Sequence, residues 1–158
     1  DVTSLLIETH NLAESVLQWL LKQFSVDVRR LPDRSQDNKW TKQIAVQTLQ
    51  ALPIAKLDDE LVRRLASQNL REIRNALIRG NSSLKALMFA ALLSTIEHSD
   101  HPFLKLSADE LRLTRLLDMA DARNKKAGHS GSERIDREEA MEHADFVIEW
   151  VQIFKGWY

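Results

Sequence analysis

The sequence predicts an all-α fold, and three observations carry that prediction. Apolar residues recur at three- and four-residue intervals along nearly the whole chain, the spacing that lines one face of a helix. Alternation with a period of two, which a half-buried strand would need, is hard to find. Helix-start signals, a small polar side chain followed three residues later by glutamate, stand at "SADE" (Ser107 to Glu110) and "DREE" (Asp136 to Glu139). Together these features describe an up-and-down helical bundle of four long helices plus one or two accessory helices, in a single domain over residues 1–158.

The first helix is expected from about Thr3 to Phe24, with Leu5, Leu12, Val16, Leu20 and Phe24 on the stripe that faces the core. Residues 25–39, "SVDVRRLPDRSQDNK", lose this periodicity, gather charge and contain Pro32, so they read as a long polar loop. A short helix from Trp40 to Leu52 stops at Pro53, whose ring takes a donor out of the hydrogen-bond ladder. Asp58 caps the next start, and the pattern continues to Arg79 with an interruption near Ser67 to Asn69; Gly80 is placed to end it. Ser82 or Ser83 opens a helix striped by Leu84, Leu87, Met88, Ala91, Leu92 and Ile96, and "HSDHPF" terminates it. From Ser107 the pattern Leu111, Leu116, Leu117, Ala120 runs to Gly128, and the last helix buries Ala140, Ala144, Val147, Val151 and Phe154.

Composition narrows the function. There is no cysteine, so a disulfide framework and a thiolate zinc site are excluded, and a reducing, cytoplasmic setting is expected. Twenty-two basic against twenty-three acidic residues give a net charge of −1, so any contact with nucleic acid must be local. No apolar run is long enough for a membrane span. The chain opens on Asp1 and not on Met, as a domain cut from a longer protein would. A phosphate-cradling P-loop and a nucleophile elbow are both missing.

The most informative stretch is "ARNKKAGHSG", residues 122 to 131. Arg123, Lys125 and Lys126 in a last helical turn followed by Gly128 would serve as an ordinary helix end, with cations facing the dipole. Arg123 and His129, six residues apart, point about 120° away from each other on a continuous helix. A break at Gly128 would let the imidazole fold back toward the guanidinium. Such a pair suits phosphate chemistry, since arginine holds two phosphate oxygens and histidine exchanges a proton near neutral pH. Arg137 and His143 repeat the spacing, but within a capped helix and on different faces, so they read as structural.

This stretch resembles the motif of the HEPN superfamily, in which an arginine, a polar residue that is often asparagine, and a histidine after four to six intervening residues lie in a small all-α domain. The resemblance implies a metal-independent ribonuclease that dimerises with the motifs facing each other. It makes Arg123 and His129 the catalytic pair and Asn124 the residue that orients the site. It implies no cofactor and no metal, RNA as substrate, a homodimer, and a cognate antitoxin or flanking regulatory domain in a toxin–antitoxin, antiviral or RNA-processing setting. Lys125, Lys126, Arg71 and Arg74 are the expected RNA-contacting cations outside the catalytic pair. Two other readings stay open on the sequence: an inactive HEPN-like nucleotide- or RNA-binding module, and a non-enzymatic helical dimerisation domain.

Two further groups look structural. His98 and His101, with Glu97 and Asp100, have the atoms for a metal, but they sit at a helix end without the spacing of a helical zinc site and read as a solvated loop. His10 reads as a surface or partly buried structural residue of the first helix.

Overall fold

A computed structural model describes residues 1–54, 56–127 and 136–157, the side chains of Lys126 and Ala127 excepted. Among these residues every regular element is helical, as the periodicity requires. The α-helices are α1 Val2–Gln23, α2 Lys42–Gln50, α3 Asp59–Leu65, α4 Leu70–Arg79, α5 Leu84–Leu93, α6 Pro102–Lys105, α7 Ala108–Leu111, α8 Leu113–Ala127 and α9 Arg137–Gln152.

The predicted boundaries follow from their caps. Asp58, Ser83 and Asp136 each accept a hydrogen bond from the first turn of the helix they open. Ser107 and Glu110 form the expected reciprocal pair, with Glu110 N donating to Ser107 Oγ at 3.2 Å and Ser107 N donating to Glu110 Oε1 at 3.1 Å. Gly80 ends α4 at φ 64°, a left-handed conformation that glycine adopts without a side-chain clash.

Four long helices were expected; three of the described helices reach 15 residues, namely α1, α8 and α9. Local chemistry accounts for the difference. Asn69 caps α4 through Glu72 N at 2.8 Å, which turns an interrupted helix into two. Arg112 breaks the line from Ser107 by taking φ 40°, costly for a residue with a side chain.

The chain divides into two compact units: Asp1–Val16 with Arg112–Tyr158, and Leu17–Leu111. In the second unit α5 is apolar all round and almost wholly buried, from Leu84 to Leu93 with only Lys85 half-covered, and α3 and α4 pack against it. The segment expected as a polar loop folds into two 3-10 turns, Val28–Arg30 and Arg34–Lys39. Arg74 of α4 holds it there. Its Nη1 donates to both Asp37 carboxylate oxygens, at 2.9 and 3.1 Å, and its Nη2 to the Pro32 carbonyl at 2.7 Å. Arg74 was expected to contact RNA. At 7% exposure its guanidinium is committed to the loop, whereas Arg71, one turn earlier, is exposed.

The first unit is built from the start of α1 with α8 and α9. Leu6 packs with Ala122 of α8 and Ala140 of α9, two small residues that let the three backbones approach closely, and Val2 and Leu5 close over them. The buried row of α1 differs from the one expected. It runs Leu6, His10, Ala13, Leu17, Leu20, in steps of four and three, while Leu12 is 39% exposed. Trp150 and Phe154 of the last segment are core residues, their rings edge to face at 4.9 Å.

The Arg74 anchor predicts that Arg74→Ala costs about 2 kcal/mol in urea unfolding, because it strands a half-buried carboxylate and an orphan carbonyl. Arg71→Ala should stay within about 0.5 kcal/mol. Equal effects of the two changes would contradict the anchoring role.

Candidate functional site

The motif arginine sits near the end of α8, where packing sets its direction. Leu116, Leu117, Met119, Ala120 and Ala122 turn the apolar side of α8 inward, so Arg123 falls on the margin between core and solvent and is half-buried. Asn124 and Lys125, next along, are exposed. The Asn124 amide steers the guanidinium, its Oδ1 accepting from Arg123 Nη1 at 3.1 Å. Arg123 Nε is buried and has no hydrogen-bond partner among the described residues. A desolvated guanidinium N–H without an acceptor is costly, and an anion oxygen would relieve that cost.

The first helix supplies the other wall. His10 is 5% exposed, and its Nδ1 lies 3.0 Å from Glu14 Oε1, yet Nδ1 makes no hydrogen bond. Burial first, and the nearby Arg123 charge second, push the His10 imidazole down to about 4, so the ring is neutral at pH 7. Burial raises Glu14 above the usual carboxylate range, with Arg123 pulling the other way. Arg123, His10 and Glu14 therefore feel one another's charge, and Glu14 makes its ion-pair contact with His10 and not with Arg123.

His129, the second half of the motif, lies outside the described residues, as do Gly128 and Gly131 and the side chain of Lys126. The structure brings Arg123 and Asn124 together and joins to them two residues the motif does not contain. His10 was read as surface or partly buried, and Glu14 was not singled out. The buried row 6–10–13–17–20 was the available signal, since it places His10 inside and Glu14 one turn further on the same side. Arg71 and Arg74 belong to the second unit.

The repeated spacing at Arg137 and His143 has a different outcome. His143 is buried and pairs with Arg115 of α8, whose Nη1 donates to His143 Nδ1 at 2.7 Å. This leaves the ring proton on Nε2, which is buried without a hydrogen-bond partner, 3.9 Å from Glu139 Oε1. Burial and then the Arg115 charge lower the His143 pKa, against the pull of Glu139, Asp118 and Glu142. Arg112 and Arg115 both lie over the Phe146 ring, at 5.1 and 5.2 Å from its centre. These contacts tie α8 to α9.

In the second unit, His101 is wholly buried and not part of a solvated loop. It caps α6 by accepting from Phe103 N at 3.1 Å, and its Nε2 meets Ser94 Oγ at 2.8 Å, which in turn donates to the Ala91 carbonyl at 2.6 Å. Burial, then His98, lower it to about 4. His98 contacts the Ser25 carbonyl at 2.7 Å. No group of three side chains suited to a metal ion exists among the described residues, and no helix among them is long and apolar enough to cross a membrane.

No family model, curated protein or solved structure matches this chain.

Of the three depressed histidines, His10 and His101 are lowered to about 4 and set a pH dependence, to which His143 adds in the same sense. The unfolded chain takes a proton near the ordinary value of 6.5 and the folded chain only near 4, so folding is opposed across that window. Stability should fall as pH drops from about 6.5 to about 4, by roughly 3 kcal/mol for each histidine, then level off. The raised Glu14 acts in the opposite sense and offsets part of the fall. Thermal melts followed by circular dichroism should lose several degrees between pH 7 and pH 4.5. His101→Asn, which keeps an N-cap acceptor, should lose a large part of that dependence; a flat profile for the unmodified chain would contradict the assignment.

Proposed function

We propose that this chain is a HEPN-like, metal-independent endoribonuclease domain that acts as a homodimer on RNA. The observation that carries the reading is the state of Arg123. Its guanidinium is half-buried, steered by Asn124, unsatisfied at Nε, and set beside two groups whose protonation it influences. A solvated helix-end arginine needs none of these features. A phosphate-binding arginine uses all of them, because partial burial strengthens its pull on an anion and steering fixes its fork.

In this reading the RNA 2′-oxygen attacks the adjacent phosphorus as a base takes its proton. Arg123 stabilises the charge on the pentacoordinate phosphate. The bond to the 5′-oxygen breaks as an acid supplies a proton, leaving a 2′,3′-cyclic phosphate and a 5′-hydroxyl. His129 is assigned one of the two proton transfers, and His129 of a second copy the other. Lys125 lies beside Arg123 in sequence and is exposed, which suits contact with a flanking phosphate. A cognate antitoxin or a flanking regulatory domain is the expected partner, in toxin–antitoxin, antiviral or RNA-processing systems.

The test is cleavage of end-labelled RNA by purified protein in EDTA. The unmodified chain should cut, and Arg123→Ala and His129→Ala should each lose at least about 100-fold. Asn124→Ala should lose about 10-fold, since it frees the guanidinium without removing it. All three should keep the parent melting temperature within a few degrees. Cleavage that survives both Arg123→Ala and His129→Ala overturns the reading.

A further inference from the structure

We propose that an anion seated on Arg123 is bound together with a proton, and that His10 and Glu14 are the pair that receives it. The inference rests on the reading of Arg123 as a phosphate-binding residue.

The argument begins with where the charges are. His10 and Glu14 are one helical turn apart on α1, so their side chains share a face. Leu6, one turn before His10, packs on Ala122 of α8, and the charge of the next residue, Arg123, reaches both side chains. The imidazole is 5% exposed, and its Nδ1 stands 3.0 Å from a carboxylate oxygen without a hydrogen bond. In the empty site the cluster holds one positive charge, on Arg123, and one negative charge, on Glu14. Burial is the first cause that keeps the His10 ring neutral and the guanidinium adds to it; at Glu14 the guanidinium works against the burial that raises the carboxyl. Among the described residues no other charged group has a resolved effect on either.

A phosphodiester on Arg123 changes this balance in one direction only. It adds a negative charge beside a neutral ring and a carboxylate, and it neutralises the cation that had disfavoured their protonation. Two anions and one guanidinium in a partly buried cluster favour uptake of a proton, and among the described residues the His10 imidazole and the Glu14 carboxylate are placed to share it. Protonation places an N–H⁺ at Nδ1, 3.0 Å from Glu14 Oε1, which converts a close contact into a charge-assisted hydrogen bond. The orphan nitrogen of the empty site is thus satisfied in the occupied one. His10 acts as a positioning residue: it keeps Glu14 turned toward itself, away from both guanidinium and phosphate.

Linkage requires that anion binding and proton binding strengthen each other equally. Binding of an RNA phosphate should therefore tighten as pH falls below about 6.5, by up to tenfold per pH unit for one coupled proton, and stop tightening near 4, where the empty site is already protonated.

The experiment is titration calorimetry of the full chain with a 2′-O-methyl oligouridylate, which cannot be cleaved and does not itself ionise in this window. It is run at pH 5.5 in two buffers of different ionisation enthalpy. The expected result is a buffer-dependent heat equal to uptake of between one-half and one proton, falling to near zero at pH 8. Glu14→Gln should reduce the uptake and His10→Gln abolish it. Where His10→Gln unfolds, the proton resonances of the His10 ring in the unmodified chain give the same information: its titration midpoint should rise by at least about one and a half pH units on adding the oligonucleotide. Binding that Arg123→Ala abolishes, but whose heat is the same in both buffers, overturns this inference and leaves the function intact. Binding that Arg123→Ala does not weaken overturns both.

Discussion

Partial burial of the Arg123 guanidinium against the polar stretch of α1 is the constraint on which the rest of the first unit turns. A fully exposed arginine would interact with His10 and Glu14 through water, at a small fraction of a kcal/mol beyond a Debye length. A fully buried one would demand a tight carboxylate partner and could accept nothing else. The margin position lies between these limits. It leaves the charge strong enough to add to burial in depressing the imidazole.

That position depends on how α8 is rotated, and two sets of contacts fix the rotation. At one end the small residues Ala122 and Ala140 clasp Leu6. At the other, Arg115 donates to His143 while Arg112 and Arg115 cover Phe146. Arg112 carries its side chain at φ 40°, a conformation that costs about 1 kcal/mol, and its cation–π contact and its 3.3 Å approach to Glu149 offset a similar amount. The break this residue makes between α7 and α8 starts α8 anew, so the helix takes its register from α9 and not from the capping box at Ser107.

How much of this was legible in the sequence follows from the range of each interaction. Caps act over three residues, and Asp58, Ser83, Ser107 and Asp136 were all readable because donor and acceptor lie in the same short string. The helical class was readable because the period repeats. The Arg74 to Asp37 anchor spans 37 residues and the Arg115 to His143 pair spans 28, and nothing local marks an arginine as bound for a carbonyl in a distant loop. Arg74 was therefore read with Arg71 as a surface cation available to RNA. His101 looked like loop for the same reason: its role as a buried cap depends on Ser94 and on the Phe24 ring, 4.7 Å away.

The misread face of α1 teaches something more specific. Leu5 and Leu12 were placed inside because they are apolar, and His10 was read as a surface or partly buried structural residue. The buried row puts an imidazole where a leucine would pack better. Replacing a core leucine by a neutral histidine forfeits a few kcal/mol of apolar burial and leaves an orphan nitrogen in the bargain. The same cost is carried by His143, which ties α8 to α9, so it marks a polar residue committed to a specific partner and not a packing choice. Polarity set against the helical period was thus the clue in the first helix to a histidine buried within reach of the Arg123 charge, more than a hundred residues away in sequence.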